Sequence, residues 1–144
     1  MKTESDRVFL PRGEYEKILQ QARQEAPKEA CGLIAGKRGE DQIHIQKVYL
    51  LRNVDQSAEH FSLDPKEQLQ AVKDMREKGL LPLGNWHSHP ATPSRPSEED
   101  IRLAFDRNAV YLILSLKDEE PVLNAFHIEN KAVRKEILEI TEGV

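Results

Sequence analysis

Sulfur is nearly absent from this sequence. Cys31 is the one cysteine among 144 residues, so no intramolecular disulfide can form, which fits a reducing compartment. A zinc site built from several thiolates is excluded for the same reason, and any metal must draw on His and carboxylate ligands. Long apolar runs are missing too. Nothing approaches the ~18 apolar residues that span a bilayer, and residues 1–6 hold no apolar stretch of the kind that directs export. Positive charge is scarce: 21 Lys and Arg against 25 Asp and Glu leave a net charge of -4, with a pI near 5.8. Nucleic-acid binding normally needs a basic face, so that partner class is set aside. Repeats, low-complexity tracts and dividing linkers are also lacking. These absences predict one cytoplasmic domain over residues 1–144, with no nucleic-acid and no membrane partner.

What is present is a soluble mixture, 38% hydrophobic and 32% charged, with a mean hydropathy of -0.64. Residues 14–25 set Tyr15, Ile18, Leu19 and Ala22 on one helical stripe, with Pro27 as a stop. Residues 31–35 are short and apolar, closed by Gly36-Lys-Arg-Gly39, which predicts a buried strand and then a turn. Ile43 and Ile45 alternate with polar neighbours while Val48 and Leu50 continue in the other phase, a strand with an irregularity near Lys47. Asp64-Pro65-Lys66-Glu67 predicts a helix start, with a stripe of Leu69, Val72 and Met75 and a stop at Gly79. A strand over 80–86 leads into His87, residues 97–107 read as helix, and 110–116 is the strongest strand, apolar enough to be covered on both faces. Another strand follows at 122–128, and 132–140 suits strand or helix. Helices interleaved with strands predict an α/β (α+β) chain with a mixed central sheet flanked by helices.

The chemistry lies in His87-Ser-His89-Pro-Ala-Thr-Pro-Ser-Arg-Pro-Ser97-Glu-Glu-Asp100. Residues two apart on an extended segment point the same way, so both imidazoles can reach one ion. Asp100, one turn into the next helix, can turn its carboxylate back towards them. Two His and a carboxylate are a common hydrolytic zinc set with a fourth position left for water. The prolines at 90, 93 and 96 stiffen the connection. Each piece also has a plain reading: His-x-His pairs recur without metals, and Ser97-x-x-Asp100 alone is a helix cap. Glu98 and Glu99 are nearby candidate bases, yet acids favour the first turn of any helix. Spacing by itself assigns Glu29 no role.

His87-x-His89-Pro90, six residues, then Ser97-x-x-Asp100 resembles the metal motif of the JAMM (MPN-plus) metalloproteases without a gap. Pro27-x-Glu29-x-Cys31-Gly32-Leu33 likewise resembles that family's upstream glutamate segment. From about residue 10 to 128 the order of elements is similar to the compact prokaryotic members, whose layout is related to that of cytidine deaminases. The resemblance implies one Zn2+ held by His87, His89 and Asp100. It implies Glu29 as the general base that moves a proton from the attacking water to the departing amine, worth ~10²–10⁴-fold. It implies Ser97 as a hydrogen-bond donor to the oxyanion, a donor type worth roughly 3–4 kcal/mol. Cys31 is expected to pack rather than ligate. The implied reaction is hydrolysis of an amide or isopeptide bond at the C-terminal Gly-Gly of a ubiquitin-like sulfur-carrier protein, releasing cysteine or a short extension. Family members often pair, so a homodimer is a further expectation.

Two rivals come from other classes. A zinc deaminase needs His-x-Glu and Pro-Cys-x-x-Cys, and neither occurs here. A non-catalytic MPN-type module would grip a ubiquitin-like or partner protein without turnover, and intact ligands and base speak against it. Exposed recognition determinants are expected in 55–60 and 117–121, with His60 and His127 as surface residues. Trp86 receives no role.

Overall fold

The computed structural model describes residues 5–142. Eleven elements follow one another: β1 (Arg7–Pro11), α1 (Arg12–Glu25), β2 (Cys31–Gly39), β3 (Gln42–Leu51), α2 (Pro65–Glu77), β4 (Leu81–His89), α3 (Glu98–Arg102), β5 (Val110–Ser115), β6 (Val122–Glu129), β7 (Ala132–Lys135) and β8 (Ile137–Thr141). The strands form one mixed sheet in the order β7-β6-β5-β4-β2-β3-β1-β8. β4 runs parallel to β5 and antiparallel to β2. No helix among the described residues is long and apolar enough to cross a membrane.

Residues 132–140 are thus two strands, and they sit at the two ends of the sheet order. Only Glu136 separates them, a step of at most ~7 Å, so the sheet curls until its edges nearly meet. The Glu136 amide donates to the Ala125 carbonyl on one side of this seam, and the Ile137 amide donates to Asp6 on the other. α1 lies against β1, β3, β5 and β8, inside the curl. Its Ile18 and Ala22 are fully buried, with Tyr15 and Leu19 packed around them, as the stripe predicts. This face is the main core: Val8, Leu10, Ile34, Ile43, Ile45, Trp86, Leu112 and Leu114 meet α1 there.

The opposite face carries a smaller core under α2, made by Ala35, Tyr49, Leu51, Ala71 and Met75. α2 begins and ends as expected, with the Asp64 carboxylate accepting from the Lys66 amide and the Leu80 amide donating to Met75 past Gly79. Its inward stripe differs from the expectation, because Leu69 is 56% exposed. Polar contacts to the sheet set the rotation instead. The Asp74 carboxylate accepts from Lys47 Nζ and Tyr49 Oη, both at 2.7 Å, and Glu67 accepts from the Arg52 amide. The stripe is therefore Glu67, Ala71, Asp74 and Met75.

The expected turn at Gly36–Gly39 is also corrected: β2 continues through it, and the chain reverses at Glu40-Asp41. Gly36 serves close approach, since a Cβ there would lie 1.9 Å from the His44 carbonyl oxygen. The pairing shifts at this point from Ala35–Lys47 to Gly36–Ile45, leaving Gln46 unopposed, which is the irregularity read near Lys47. α3 is five residues long rather than reaching Arg107, and it buries none of its side chains.

Candidate active site

The second face of the sheet positions every group of interest. His87 and His89 end β4, buried to 2% and 4% exposure, and alternation sends both imidazoles to the face away from α1. Asp100 approaches from the third position of α3. Ser97 caps that helix: its Oγ accepts from the Asp100 amide at 3.0 Å, and the Ser97 amide donates to Asp100 Oδ2 at 2.9 Å. This reciprocal pair fixes the carboxylate's rotamer. His87 Nε2 and His89 Nε2 face each other at 3.1 Å, and Asp100 Oδ2 lies 3.2 and 3.3 Å from them.

The orientation of His89 is set by the proline-rich loop. Its Nδ1 lies 2.8 Å from the Pro93 carbonyl, to which it donates, leaving Nε2 as a lone pair aimed at Asp100 and His87. The loop is held down in turn by Ser115 Oγ on Thr92, Ser94 Oγ on Ile113 and Asn124 Nδ2 on Ser94, each donating to a carbonyl. His87 is sandwiched from the other side by Phe61, ring centroids 4.7 Å apart. Burial pushes the His87 pKa down despite the adjacent Asp100. For His89, burial acts the same way, but Asp100, the Pro93 carbonyl and Glu29 outweigh it and the pKa rises. Burial alone would raise Asp100; hydrogen bonds from His87 and His89 hold it well below the usual carboxylate range.

Glu29, from a distant part of the chain, stands near enough to this centre to interact electrostatically with His89 and Asp100. The link is Ser88, between the two histidines: its Oγ accepts from the Ala30 amide at 2.8 Å, and its amide donates to the Ala30 carbonyl. The Glu29 backbone is further held by its own amide donating to Ser57 and by Asn53 Nδ2 donating to its carbonyl. Its side chain is 4% exposed. Burial pushes its pKa up to about 8, with His89 pulling down and Asp100 pushing up. Cys31 pairs with His87 across β2 and β4, fully buried, its thiol pushed up to about 12 by burial and by Glu29. A neutral thiol of that kind is packing.

Two imidazole nitrogens and a carboxylate oxygen, all within 4.8 Å of one another, with both rings buried and His89 Nε2 turned inward by the Pro93 carbonyl, fit a divalent zinc ion. Asp6, His127 and Glu136 are a second close group, but Glu136 already accepts from Arg134 Nε at 2.6 Å, so its charge is spoken for.

The model of prokaryotic homologs of the JAB domain matches residues 11–129. The chain belongs to this family. Among JAB relatives, the CysO-cysteine peptidase of Mycobacterium tuberculosis is 33% identical over 128 residues, covering 87% of this chain and 85% of that one. A probable TtuB-protein conjugate cleaving protease of Thermus thermophilus is 38% identical over 98 residues, 67% of this chain and 63% of its own. The solution structure of protein DSY2949 from Desulfitobacterium hafniense matches with a TM-score of 0.87 and 51% identity, over 95% of this chain and 94% of that one.

Within this JAB domain, sequence reasoning overlooked Ser88, Asn53 and Phe61. Ser88 carried one usable signal, a hydroxyl in the middle of an otherwise inward-facing segment. Trp86, given no role, is fully buried, and its Nε1 donates to the Tyr49 carbonyl at 3.0 Å. His60 is exposed as expected. His127 is not a surface residue: it is 6% exposed, 3.1 Å from Glu136.

Proposed function

We propose that the chain is a zinc-dependent peptidase that hydrolyses an amide or isopeptide bond at the C-terminal Gly-Gly of a ubiquitin-like sulfur-carrier protein. The observation that carries this reading is the convergence of His87 Nε2, His89 Nε2 and Asp100 Oδ2 at 3.1–3.3 Å. The relatives' names, which speak of a cysteine peptidase and of conjugate cleavage, support the substrate class.

His87, His89 and Asp100 would hold the ion. When bound, zinc lowers the pKa of a coordinated water towards ~7 and polarises the scissile carbonyl. Glu29 serves as general base. A base works best with a pKa near the working pH; burial lifts Glu29 above an ordinary carboxyl while His89 opposes it, and a bound dication would lower it back towards that range. Ser97 Oγ spends an acceptor site on the Asp100 amide, so its O–H proton remains free to donate to the developing oxyanion. A Gly-Gly tail suits a narrow approach past Phe61 and the proline-rich loop, because it brings no side chains.

The test is direct. Zinc-loaded protein incubated with a carrier–cysteine adduct should release the shortened carrier, detected by mass spectrometry, and a chelator should stop the release. An adduct left intact at full zinc occupancy would overturn the proposal.

A further inference from the structure

A histidine that ligates a metal almost always has a second anchor. The ring nitrogen that does not face the ion donates to a carbonyl or carboxylate, and this fixes both the tautomer and the rotation of the ring. His89 follows that rule through its Nδ1 and the Pro93 carbonyl, 2.8 Å apart. His87 breaks it. Its Nε2 faces His89 and Asp100, but its Nδ1 is buried and, among the described residues, has no hydrogen-bond partner. No polar contact therefore sets the rotation of this ring, and the torsion that turns an imidazole about its bond to Cβ is a soft one.

The Phe61 ring takes that place. It stacks on His87 with centroids 4.7 Å apart and planes inclined by 26°, so turning the imidazole would drive one of its edges into the phenyl face. A stack restrains its partner only if it is itself held, and the chain around Phe61 is pinned on both sides. The loop that carries it closes on an antiparallel bridge between Asn53 and Leu63. Asn53, 8% exposed, uses its whole amide there. Its Nδ2 donates to the His60 carbonyl at 3.1 Å, immediately before Phe61, and its Oδ1 accepts from the Ser62 amide at 3.1 Å, immediately after. The same Oδ1 accepts from the Asp55 amide, and the same Nδ2 donates to the Glu29 carbonyl. The Asp55 carboxylate closes the loop again by accepting from Ser62 Oγ at 2.7 Å.

We propose that Phe61 is a positioning residue for the metal centre, its stacked ring doing for His87 what the Pro93 carbonyl does for His89. This rests on the zinc reading above and adds to it the group that aims one of the three ligands. The loop from Asn53 to Leu63 is thereby a bracket with one arm on the Glu29 backbone and the other on a metal ligand, so the spacing between base and ion is set by a single amide side chain at its root.

Metal affinity tests this without any turnover. Metal-free protein is titrated with zinc against a chromophoric chelator, and separately with cobalt(II), whose visible absorption follows the geometry of its ligands. Phe61→Ala should weaken zinc binding about 10–100-fold, the usual effect of removing a group that orients a metal-bound histidine, and should change the cobalt spectrum. Phe61→Leu keeps apolar bulk but offers no flat face, and it should weaken zinc binding as well. Phe61→Tyr keeps the ring and should match the unaltered protein in both readouts. Melting curves of the metal-free proteins show which variants fold; if Phe61→Ala does not, Phe61→Leu decides. Unchanged zinc affinity in Phe61→Leu overturns the proposal, because bulk would then suffice, and so does a loss that Phe61→Tyr shares. An unaltered protein that binds no zinc would overturn the metal reading and this proposal together. Zinc bound equally by all the proteins overturns the role of Phe61 alone.

Discussion

Glu29 concentrates the proposed chemistry in one carboxyl group that owes its properties to its surroundings. Removed from water, it binds a proton more tightly than a free glutamate, yet it sits where His89 opposes that effect. Glu29→Gln keeps the volume and the hydrogen-bonding shape while removing the proton acceptor. The variant should retain one zinc per chain by elemental analysis and a normal melting curve, with turnover down ~10²–10⁴-fold. Asp100→Ala should instead lose the metal. Full turnover by Glu29→Gln would assign the base elsewhere. His87, His89 and Asp100 stand out in sequence as side chains of ligand type at a fixed spacing, whereas Glu29 and the role of Ser97 come only from the family resemblance. The residues that hold them in place do not stand out. Ser88, Asn53 and Asn124 act through backbone amides and carbonyls, and a sequence does not announce which carbonyl lies opposite a given hydroxyl.

At the level of elements, the meeting of β2, β3 and β4 fixes how the glutamate segment lies against the histidine strand. Gly32 makes that meeting possible. A Cβ there would stand 1.8 Å from the Tyr49 carbonyl oxygen and 2.3 Å from Trp86 Nε1, so the indole crosses above a residue with no side chain to reach its acceptor. Gly32→Ala forces two strands apart and breaks that hydrogen bond. It should cost roughly 3 kcal/mol, the upper end for overpacking a core, and lower Tm by about 10 °C in a scan. An unchanged Tm would mean that the strands accommodate a methyl group. Elements with strong local signals were readable: α1 from its stripe, both ends of α2 from its caps, β5 from its apolar run. The misreadings share a physical cause. The inward face of α2 is partly polar, and apolar periodicity cannot register an aspartate that turns inward to meet Lys47 and Tyr49. Gly36 signals a turn in sequence but serves as the narrow point of a strand crossing. α3 stops early because nothing is buried by extending it: Leu103 is 49% and Phe105 87% exposed, and a short helix without packing does not persist. β1 went unrecognised because it is five residues long and lies between β3 and β8, the latter from the opposite end of the described residues.

For the molecule as a whole, the closing of the curled sheet depends on Glu136. Its side chain is buried, accepting from the Asp6 amide and from Arg134, with His127 Nδ1 3.1 Å away. Burial alone would raise its pKa, but these donors outweigh it and the native value lies below the ordinary 4.5. A depressed native pKa means stability that is full above about pH 4.5 and is lost as the pH falls through the native value. Glu136→Gln should therefore be less stable at neutral pH, yet its Tm should decline less steeply between roughly pH 5 and 3 than that of the unaltered protein. Parallel acid limbs for the two proteins would place the acid sensitivity in other carboxylates. The strand that β1 needs as its outer neighbour, β8, is also the last of the described strands in chain order. Without residues 136–141, β1 would have only β3 beside it. Every proposed site residue precedes β8 in the chain, so the strand that clasps the sheet's edge is made after the residues of the centre.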